Sequence, residues 1–310
     1  MKKMKPFVSV VVVGFNGEKF IAKLLESLES QSYPRNRFEV ILVDNASTDN
    51  TSKIAESFQK AEIIQLKENT GFAAGNNEGI KKSKGEFVVL VSQDVWVEKN
   101  FLSELVKTMQ EKPEAGIVGA AEHPYDGTIP KAKKIVESSW MGGGAMMIRR
   151  KALEEELFDE NYFAYCEDMD LSWRMKMKGW RIFLNTASIW HHAGFDRSDI
   201  SSWAAAIAIR NRVLLLLTYG SMGQIIKSIN FMGTANSNSS REKNNSHKNR
   251  GSSSREKKKV SSLSLFFSVL PLLPSTIAKR FSVMQNKKVS QQEIDSWIRE
   301  TDKQLWGKES

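Results

Sequence analysis

The sequence lacks several features that would assign the protein to a particular class. It contains a single cysteine, Cys166, in 310 residues, which excludes an intramolecular disulfide and a zinc cluster built on cysteines. No stretch reaches the roughly 18 uninterrupted apolar residues of a membrane-spanning helix. The basic start, Met1–Lys5, precedes only a brief apolar run without a small-x-small cleavage pattern, so we predict no signal peptide. These absences are typical of a protein of a reducing cytosol.

Net positive charge is almost absent from most of the chain and is concentrated near its end. Residues 231–310 carry 15 Lys and Arg against 7 Asp and Glu, which is +8 of the whole chain's +9. Residues 1–230 are therefore nearly neutral at +1. A basic segment of this kind suits an anionic membrane surface or a nucleic acid.

Short apolar runs separated by helical patterns predict an α/β domain over residues 1–220. Val8–Val13, Phe38–Val43 and Phe87–Val91 are almost entirely apolar, which is typical of strands buried on both faces. Each is followed by apolar residues spaced three and four apart, as on one face of a helix. This alternation predicts a doubly wound sheet with helices on both faces.

Carboxylates follow two of these strands. Asp44 ends the second strand, and Asp94 comes just after Phe87–Val91. In open α/β sheets ligands bind at the carboxyl ends of the strands, so both side chains are candidates for ligand contact. The structural alternatives are an Asx turn at Asp44 and a helix cap at Asp94.

A second acidic cluster, with Glu167, Asp168 and Asp170, stands near a predicted helix start. Acids there also favour the helix dipole, so a structural role is the alternative. A carboxylate crowded by its neighbours would have a raised pKa, which suits a general base. Further along, His191 and His192 are adjacent, and a satisfied core histidine is the alternative to a metal ligand.

Together these residues resemble family-2 glycosyltransferases of the GT-A fold. Five segments match in the family's order, and the third is similar to rhamnosyltransferase-like members: Val10–Asn16, Val43–Thr51, Asn69–Asn77, Ser92–Asp94, and Glu167–Asp168 with His191–His192. The resemblance covers about residues 7–220. One departure is Ser92, which stands where the family has Asp or Asn, so Asp94 is the only carboxylate of that motif.

The resemblance implies an inverting transfer of a sugar from a nucleoside-diphosphate sugar, UDP- or dTDP-linked, to a hydroxyl of a glycan or lipid-linked acceptor. It implies a divalent metal, Mg²⁺ or Mn²⁺, on Asp94 with His191 or His192, where it would neutralise the leaving diphosphate. It also implies Asp168 and Glu167 as catalytic residues, with Asp168 as the general base. The residues expected to contact the donor are Asn16, Asp44, Asp49, Asn76 and Asp94.

Two other functions remain open from the residues. A nucleotidyltransferase on a similar sheet would carry a long loop rich in Gly, Arg and Lys after the first strand, and Gly14–Gly17 is not such a loop. A catalytically degenerate protein that only binds nucleotide sugars is compatible with the serine at position 92.

Residues 221–310 form a separate basic region. Its part at about 234–262 is rich in Ser, Asn, Lys and Arg and is predicted to be disordered. The apolar Leu263–Leu273 and the amphipathic Gln291–Trp306 are predicted to be helices at a membrane interface, or to pack back on the catalytic body. Arg241–Lys259 contains no Phe, Tyr or Trp, which disfavours nucleic acid, because stacking platforms for bases are aromatic side chains placed among the basic residues. The expected location is therefore cytoplasmic, at the inner face of the cell membrane.

Overall fold

A computed structural model describes residues 4–58, 61–123, 134–153, 157–193, 202–226 and 267–306. The chain forms two compact units that divide between Phe195 and Asp196. In the described residues the first unit carries the sheet, and the second consists of helices. The segment at 234–262, for which disorder is predicted, lies outside the described residues.

Nine strands of the described chain form one mixed sheet. Their bounds are β1 Val8–Gly14, β2 Phe38–Asp44, β3 Ala61–Gln65, β4 Phe87–Ser92, β5 Val95–Val97, β6 Ala115–Glu122, β7 Ile135–Glu137, β8 Ala145–Arg149 and β9 Arg181–His192. The strand order is β3-β2-β1-β4-β8-β6-β9-β5, and β7 pairs with β9. Strands β1 to β4 run parallel, whereas β8 is antiparallel to both β4 and β6.

Helices cover both faces of this sheet. Their bounds are α1 Ile21–Glu29, α2 Thr51–Glu56, α3 Gly71–Lys82, α4 Phe101–Glu111, α5 Arg150–Leu153 and α6 Glu167–Met177. Successive residues of β1 point to opposite faces, and Val10 and Val12 pack with side chains of α1 and α4. Val11 packs on the other side with side chains of α3 and α6. The two-sided burial explains why β1 is apolar at nearly every position.

Two short strands were not predicted, and one of them changes the setting of Asp94. Strand β5 begins one residue after Asp94 and pairs antiparallel with β9. Asp94 therefore lies in the tight turn between β4 and β5 and does not lead directly into a helix. Strand β9 continues as far as His192, with a register shift against β6 between Ala120 and Ala121.

The second unit contains α7 Ser202–Tyr219, α8 Leu273–Gln285 and α9 Gln291–Trp306. Arg280 of α8 donates hydrogen bonds to the carbonyls of Leu217, Thr218 and Gly220, which satisfies the end of α7. Helix α7 belongs to the second compact unit, and the domain boundary at residue 220 stays a prediction. Among the described helices, none is both long and apolar enough to span a bilayer.

Candidate active site

Carboxylates lie at one edge of the sheet because three parallel strands end there. Gly14 at the end of β1 pairs with Asp44 on one side, and Val13 pairs with Ser92 on the other. Asp44 is buried, and Asp94 is half-buried in the turn that follows Ser92. The expected position of both carboxylates at the carboxyl ends of strands is confirmed: Asp44 ends β2 and Asp94 follows β4, with β1 between these strands.

Side chains hold the backbone of the turn between β1 and α1. Four consecutive N–H groups donate to side-chain oxygens at 2.7–3.1 Å, in the pairs Phe15 with Gln93, Asn16 with Ser47, Gly17 with Thr51 and Glu18 with Asp49. Loops that cradle phosphate do so with backbone N–H groups that are available to the ligand. This turn is therefore not a phosphate cradle, which disfavours a nucleotidyltransferase.

Two predicted donor-binding residues, Asn16 and Asp49, brace the loop between β2 and α2. Asn16 has a positive φ of 49°, and its Oδ1 accepts the N–H of Thr48 at 2.9 Å. Asp49 accepts from the N–H groups of Glu18 and Thr51; burial acts to raise its pKa, but these hydrogen bonds and the Thr51 hydroxyl lower it overall. Both oxygens of Asp49 are thus engaged in closing the loop.

Asp44 forms the Asx turn that was its structural alternative and still has capacity for a ligand. Its Oδ1 accepts the N–H of Ser47 at 3.1 Å. Its Oδ2 accepts no hydrogen bond within the described part of the chain. One carboxylate oxygen at the end of β2 therefore remains available to a donor N–H group.

The next residue, Asn45, was not singled out from the sequence, and Asn76 was given too direct a role. Asn45 is buried and donates to Asn69 Oδ1 and the Gly71 carbonyl, both at 3.0 Å, while its Oδ1 accepts from Thr70. It thus ties the end of β2 to the start of α3. Asn76 is 1% exposed and donates to the Phe72 carbonyl, so the structure does not bring it to the surface of the site.

The carboxylate of Asp168 is fixed at the start of α6. Its Oδ2 accepts the N–H of Gly143 and its Oδ1 accepts the N–H of Met169, both at 2.8 Å. Burial raises the pKa of Asp168, although these two N–H groups oppose the rise. The sequence suggested crowding by neighbouring acids as the cause of a raised pKa, whereas the cause at Asp168 is burial.

Glu167, the first residue of α6, is more buried than its neighbour. It is 4% exposed, and its Oε2 makes no hydrogen bond to any described residue. Burial first and the charge of Asp168 second raise the pKa of Glu167 well above its usual range. The third acid, Asp170, is held differently, because Arg174 Nε donates to it at 2.8 Å in a buried ion pair.

A hydrogen-bonded path joins Asp94 to Asp168 across the sheet edge. Ser92 donates its hydroxyl to Asp94 Oδ1 and its backbone N–H to the Gly144 carbonyl. Gly143, the preceding residue, donates to Asp168. This path exists because β8 is antiparallel to β4, so the glycine-rich entry to β8 lies beside the exit of β4.

Strained backbone concentrates in the segment that precedes α6. Phe163, Tyr165 and Cys166 all have φ between 62° and 69°, a region that costs about 1–2 kcal/mol per residue outside glycine. Strain of this kind clusters at functional sites. Tyr165 is half-exposed, and its partial burial together with the charges of Glu167 and Asp94 raises its pKa. Sequence reasoning did not single out Tyr165, because only the fold brings Asp94 near its phenol.

The two predicted metal-ligand histidines have other partners. His191 stacks on Trp96 with ring centroids 3.8 Å apart, and its Nε2 lies 2.9 Å from Glu98 Oε1. His192 Nε2 lies 3.0 Å from Glu122 Oε1. Burial lowers the pKa of His191 against the opposing effect of Glu98. Within the described residues, no group of three or more His, Cys, Asp or Glu side chains is arranged to hold a metal ion.

The mixed sheet, with acidic residues at its strand ends and a further carboxylate in the first turn of α6, is the architecture of the GT-A fold. The sequence profile of glycosyl transferase family 2 matches residues 9–169, and the chain belongs to that family. The expected GT-A type doubly wound sheet is confirmed, because solved glycosyltransferases share the fold.

Relatives of known name support the family assignment. The chain is 23% identical over 241 residues to the dolichyl N-acetyl-alpha-D-glucosaminyl phosphate 3-beta-D-2,3-diacetamido-2,3-dideoxy-beta-D-glucuronosyltransferase of Methanococcus voltae, covering 69% of this chain and 72% of that protein. It is 36% identical over 107 residues to the poly(ribitol-phosphate) beta-N-acetylglucosaminyltransferase TarS of Staphylococcus aureus, covering 33% of this chain and 19% of TarS.

Two solved structures are similar over most of the chain. Residues 1–349 of S. aureus TarS superpose with a TM-score of 0.59 at 18% identity, covering 97% of this chain and 92% of that one. The mannosyltransferase PcManGT of Pyrobaculum calidifontis, in complex with GDP-Man and Mn²⁺, gives 0.57 at 18% identity, covering 97% and 81%. At this level of identity the likeness shows the fold.

Proposed function

We propose that the protein is an inverting glycosyltransferase that moves a sugar from a nucleoside-diphosphate sugar to a hydroxyl of a glycan or lipid-linked acceptor. The observation that carries the proposal is the hydrogen-bonded path from Asp94 through Ser92 and the glycine turn to Asp168. The path connects Asp94, a carboxylate suited to binding a cation, with Asp168, a carboxylate suited to accepting a proton. Sugar transfer from a diphosphate donor needs both.

Asp168 acts as the general base in this proposal. It takes the proton of the acceptor hydroxyl while that oxygen forms a bond to the anomeric carbon of the donor. The bond from this carbon to the diphosphate oxygen breaks, and its electron pair leaves with the nucleoside diphosphate. A raised pKa makes Asp168 a stronger base than an ordinary aspartate, nearer the value that proton transfer at neutral pH requires.

Asp94 would hold a divalent cation, Mg²⁺ or Mn²⁺. Such an ion, when bound, neutralises charge that develops on the leaving diphosphate. Asp94 fits this role because Mg²⁺ commonly takes only one or two protein carboxylates and completes its shell with phosphate oxygens and water. The solved PcManGT complex contains Mn²⁺ with its donor. His191 or His192 would join the ion only after leaving Glu98 or Glu122.

The donor would be a UDP- or dTDP-sugar. The available oxygen of Asp44 is an acceptor for the ring N–H of a uracil- or thymine-type base. Asn16 and Asp49 support this pocket by bracing its loop. Structures of S. aureus TarS have been solved with UDP and with UDP-GlcNAc, which is consistent with this donor class.

The protein would work at an anionic membrane surface, where a lipid-linked acceptor is found. In the second unit, the segment that ends in α8 exposes four large apolar side chains: Phe267, Leu270, Ile277 and Phe281. Exposed apolar side chains next to Lys287 and Lys288 are the pattern of an interfacial helix. The positive charge of residues 231–310 favours an anionic surface.

The metal role of Asp94 gives the first test of the proposal. We expect the wild-type protein with Mn²⁺ to hydrolyse or transfer sugar from a UDP- or dTDP-sugar. Asp94→Asn should lower this activity by at least about a hundredfold with an unchanged unfolding temperature, because it removes a charge directed at ligand. Activity is measured by nucleoside-diphosphate release, and folding by thermal unfolding.

Two results would contradict the proposal. A wild-type protein that binds these donors but never releases nucleoside diphosphate would be a degenerate nucleotide-sugar binder. An Asp94→Asn variant with full activity and undiminished metal dependence would remove Asp94 from the metal site.

A further inference from the structure

We infer that Gln93 is a positioning residue that holds the turn between β1 and α1 against the turn that carries Asp94. Through these two turns it fixes the nucleoside end of the donor site relative to the diphosphate end. The inference rests on the proposed function, because it names the residue that keeps the two halves of that site in register.

The geometry of the Gln93 carboxamide is the main support. Its Oε1 accepts the N–H of Phe15 at 2.9 Å, and its Nε2 donates to the carbonyl of the same residue at 3.0 Å. A carboxamide can donate and accept side by side, whereas a carboxylate only accepts. Gln93 therefore bonds both polar backbone groups of Phe15, as a neighbouring strand would.

The close approach of Gln93 requires a glycine at position 17. A Cβ built on Gly17 would lie 2.1 Å from Gln93 Oε1 and 2.7 Å from its Cδ. The glycines with positive φ in the described chain are Gly71 and Gly179, so Gly17 needs no special backbone angle. What Gly17 supplies is the space that the carboxamide occupies.

Each end of this contact leads to a proposed donor-binding residue. Asn16 follows Phe15 and is held to the β2–α2 loop through Ser47 and Thr48. On the other side, Asp94 follows Gln93 directly. Loss of the carboxamide would leave each half intact and remove the side-chain link between the two turns, while the pairing of β1 with β4 remains.

The first experiment compares ligands that use one half of the site or both. We expect Gln93→Met, which keeps length and removes both hydrogen bonds, to raise the Kd of UDP or dTDP with Mn²⁺ about tenfold. The affinity for the matching nucleoside alone should change less than about twofold, since it uses one half only. Calorimetry measures the Kd of the nucleoside diphosphate, and ligand-observed NMR measures the affinity for the nucleoside.

Gln31→Met is the matched control. The Gln31 carboxamide also bonds backbone groups, the carbonyls of Ser27 and Glu98 and the N–H of Leu102, but at the far end of α1. We expect Gln31→Met to lower the unfolding temperature about as much as Gln93→Met does. The Kd of the nucleoside diphosphate should stay unchanged in Gln31→Met. Equal Kd values for the wild type and Gln93→Met would overturn the inference. So would equal losses of nucleoside-diphosphate affinity in Gln93→Met and Gln31→Met.

A double-mutant cycle keeps the test independent of stability. Gly17→Ala should raise the Kd of the nucleoside diphosphate about tenfold in the wild type, and less than about twofold when Gln93 is already alanine. An undiminished effect in the Gln93→Ala background would show that the contact is not the cause. A wild-type protein that binds none of UDP, dTDP and GDP would overturn the proposed function itself, a result distinct from the others.

Discussion

The neighbouring carboxylates Glu167 and Asp168 differ in surroundings and therefore in expected role. Asp168 is half-buried and held by two backbone N–H groups. Glu167 is almost fully buried, and one of its oxygens makes no hydrogen bond among the described residues. The surroundings of Asp168 position it as a base, whereas the surroundings of Glu167 destabilise its charged form.

We predict opposite phenotypes for the two amide substitutions. Asp168→Asn should lower kcat by at least about a hundredfold and change the Kd of the donor less than about threefold, because a base acts on the acceptor proton only as the reaction proceeds. Glu167→Gln should raise the unfolding temperature at pH 7.5, because it removes a buried carboxylate that lacks a full set of hydrogen-bond partners. Such an unsatisfied buried group costs roughly 1–3 kcal/mol of folding stability.

The sign of the pH dependence follows from the raised pKa of Glu167. Below the pKa of the unfolded state, about 4.3, both states are protonated and the carboxyl costs nothing. As pH rises above that value the unfolded state loses its proton first, so folding stability falls up to the folded-state pKa. The stabilisation by Glu167→Gln should therefore vanish near pH 4. A difference in unfolding temperature between variant and wild type that stays constant from pH 4 to 8 would contradict this prediction.

At the scale of elements, the start of α3 and the segment before α6 are packed backbone against backbone. Gly71 has a φ of +87°, and a Cβ built on it would lie 2.6 Å from the carbonyl oxygen of Phe163. Ala73 donates its N–H to that same carbonyl at 3.0 Å. The approach places the strained backbone of Phe163–Cys166 beside the turn that Asn45 holds.

Gly71→Ala should therefore destabilise the protein by more than the cost of the backbone angle alone. That angle contributes about 1–2 kcal/mol, and the clash with a carbonyl cannot be relieved by rotating a side chain. Each kcal/mol of lost stability lowers the unfolding temperature by roughly 2–4 °C. We therefore expect Gly71→Ala to lower the unfolding temperature by more than this amount. Gly142→Ala is the control, since its Cβ would meet its nearest neighbour at 3.6 Å. Equal unfolding temperatures for the two variants would contradict the prediction.

At the scale of the whole molecule, the described chain divides into a sheet unit of nearly balanced charge and a helical unit. Arg212 of α7 forms an ion pair with Asp302 of α9, and Gln291 donates to the carbonyl of Tyr219. A deletion that begins at residue 231 would take α8 and α9 away from α7. Point substitutions on the exposed face of α8 therefore test membrane binding better than truncation does.

We predict that Ile277→Ser with Phe281→Ser abolishes co-sedimentation with anionic liposomes. These side chains are 51% and 63% exposed, so the change should leave the unfolding temperature within about 1 °C. Binding of the wild type should weaken at high salt, because each Lys or Arg near an anionic surface contributes about 1 kcal/mol. Met222→Ser is the control, an apolar residue of 68% exposure outside α8. Equal binding of both variants, or dimer formation through this face, would contradict the prediction.

The sequence by itself determined the layered sheet and the position of the carboxylates at its edge. Runs such as Val8–Val13 can be buried only between two helical layers, because nearly every side chain is apolar. Turn residues such as Asn16 and Asp44 then follow the strands, and parallel strands bring their carboxyl ends together. Local pattern and chain direction were sufficient for these predictions.

Only the tertiary structure decided which polar side chains serve the framework and which face a ligand. Asp49 belongs to the same segment as Asp44, and Asn76 to the next one, but Asp49 accepts the N–H of Glu18 and Asn76 donates to the Phe72 carbonyl. The Gln93 contact to Phe15 spans 78 residues. No local pattern encodes such a pairing, because it depends on which turns the sheet order brings side by side.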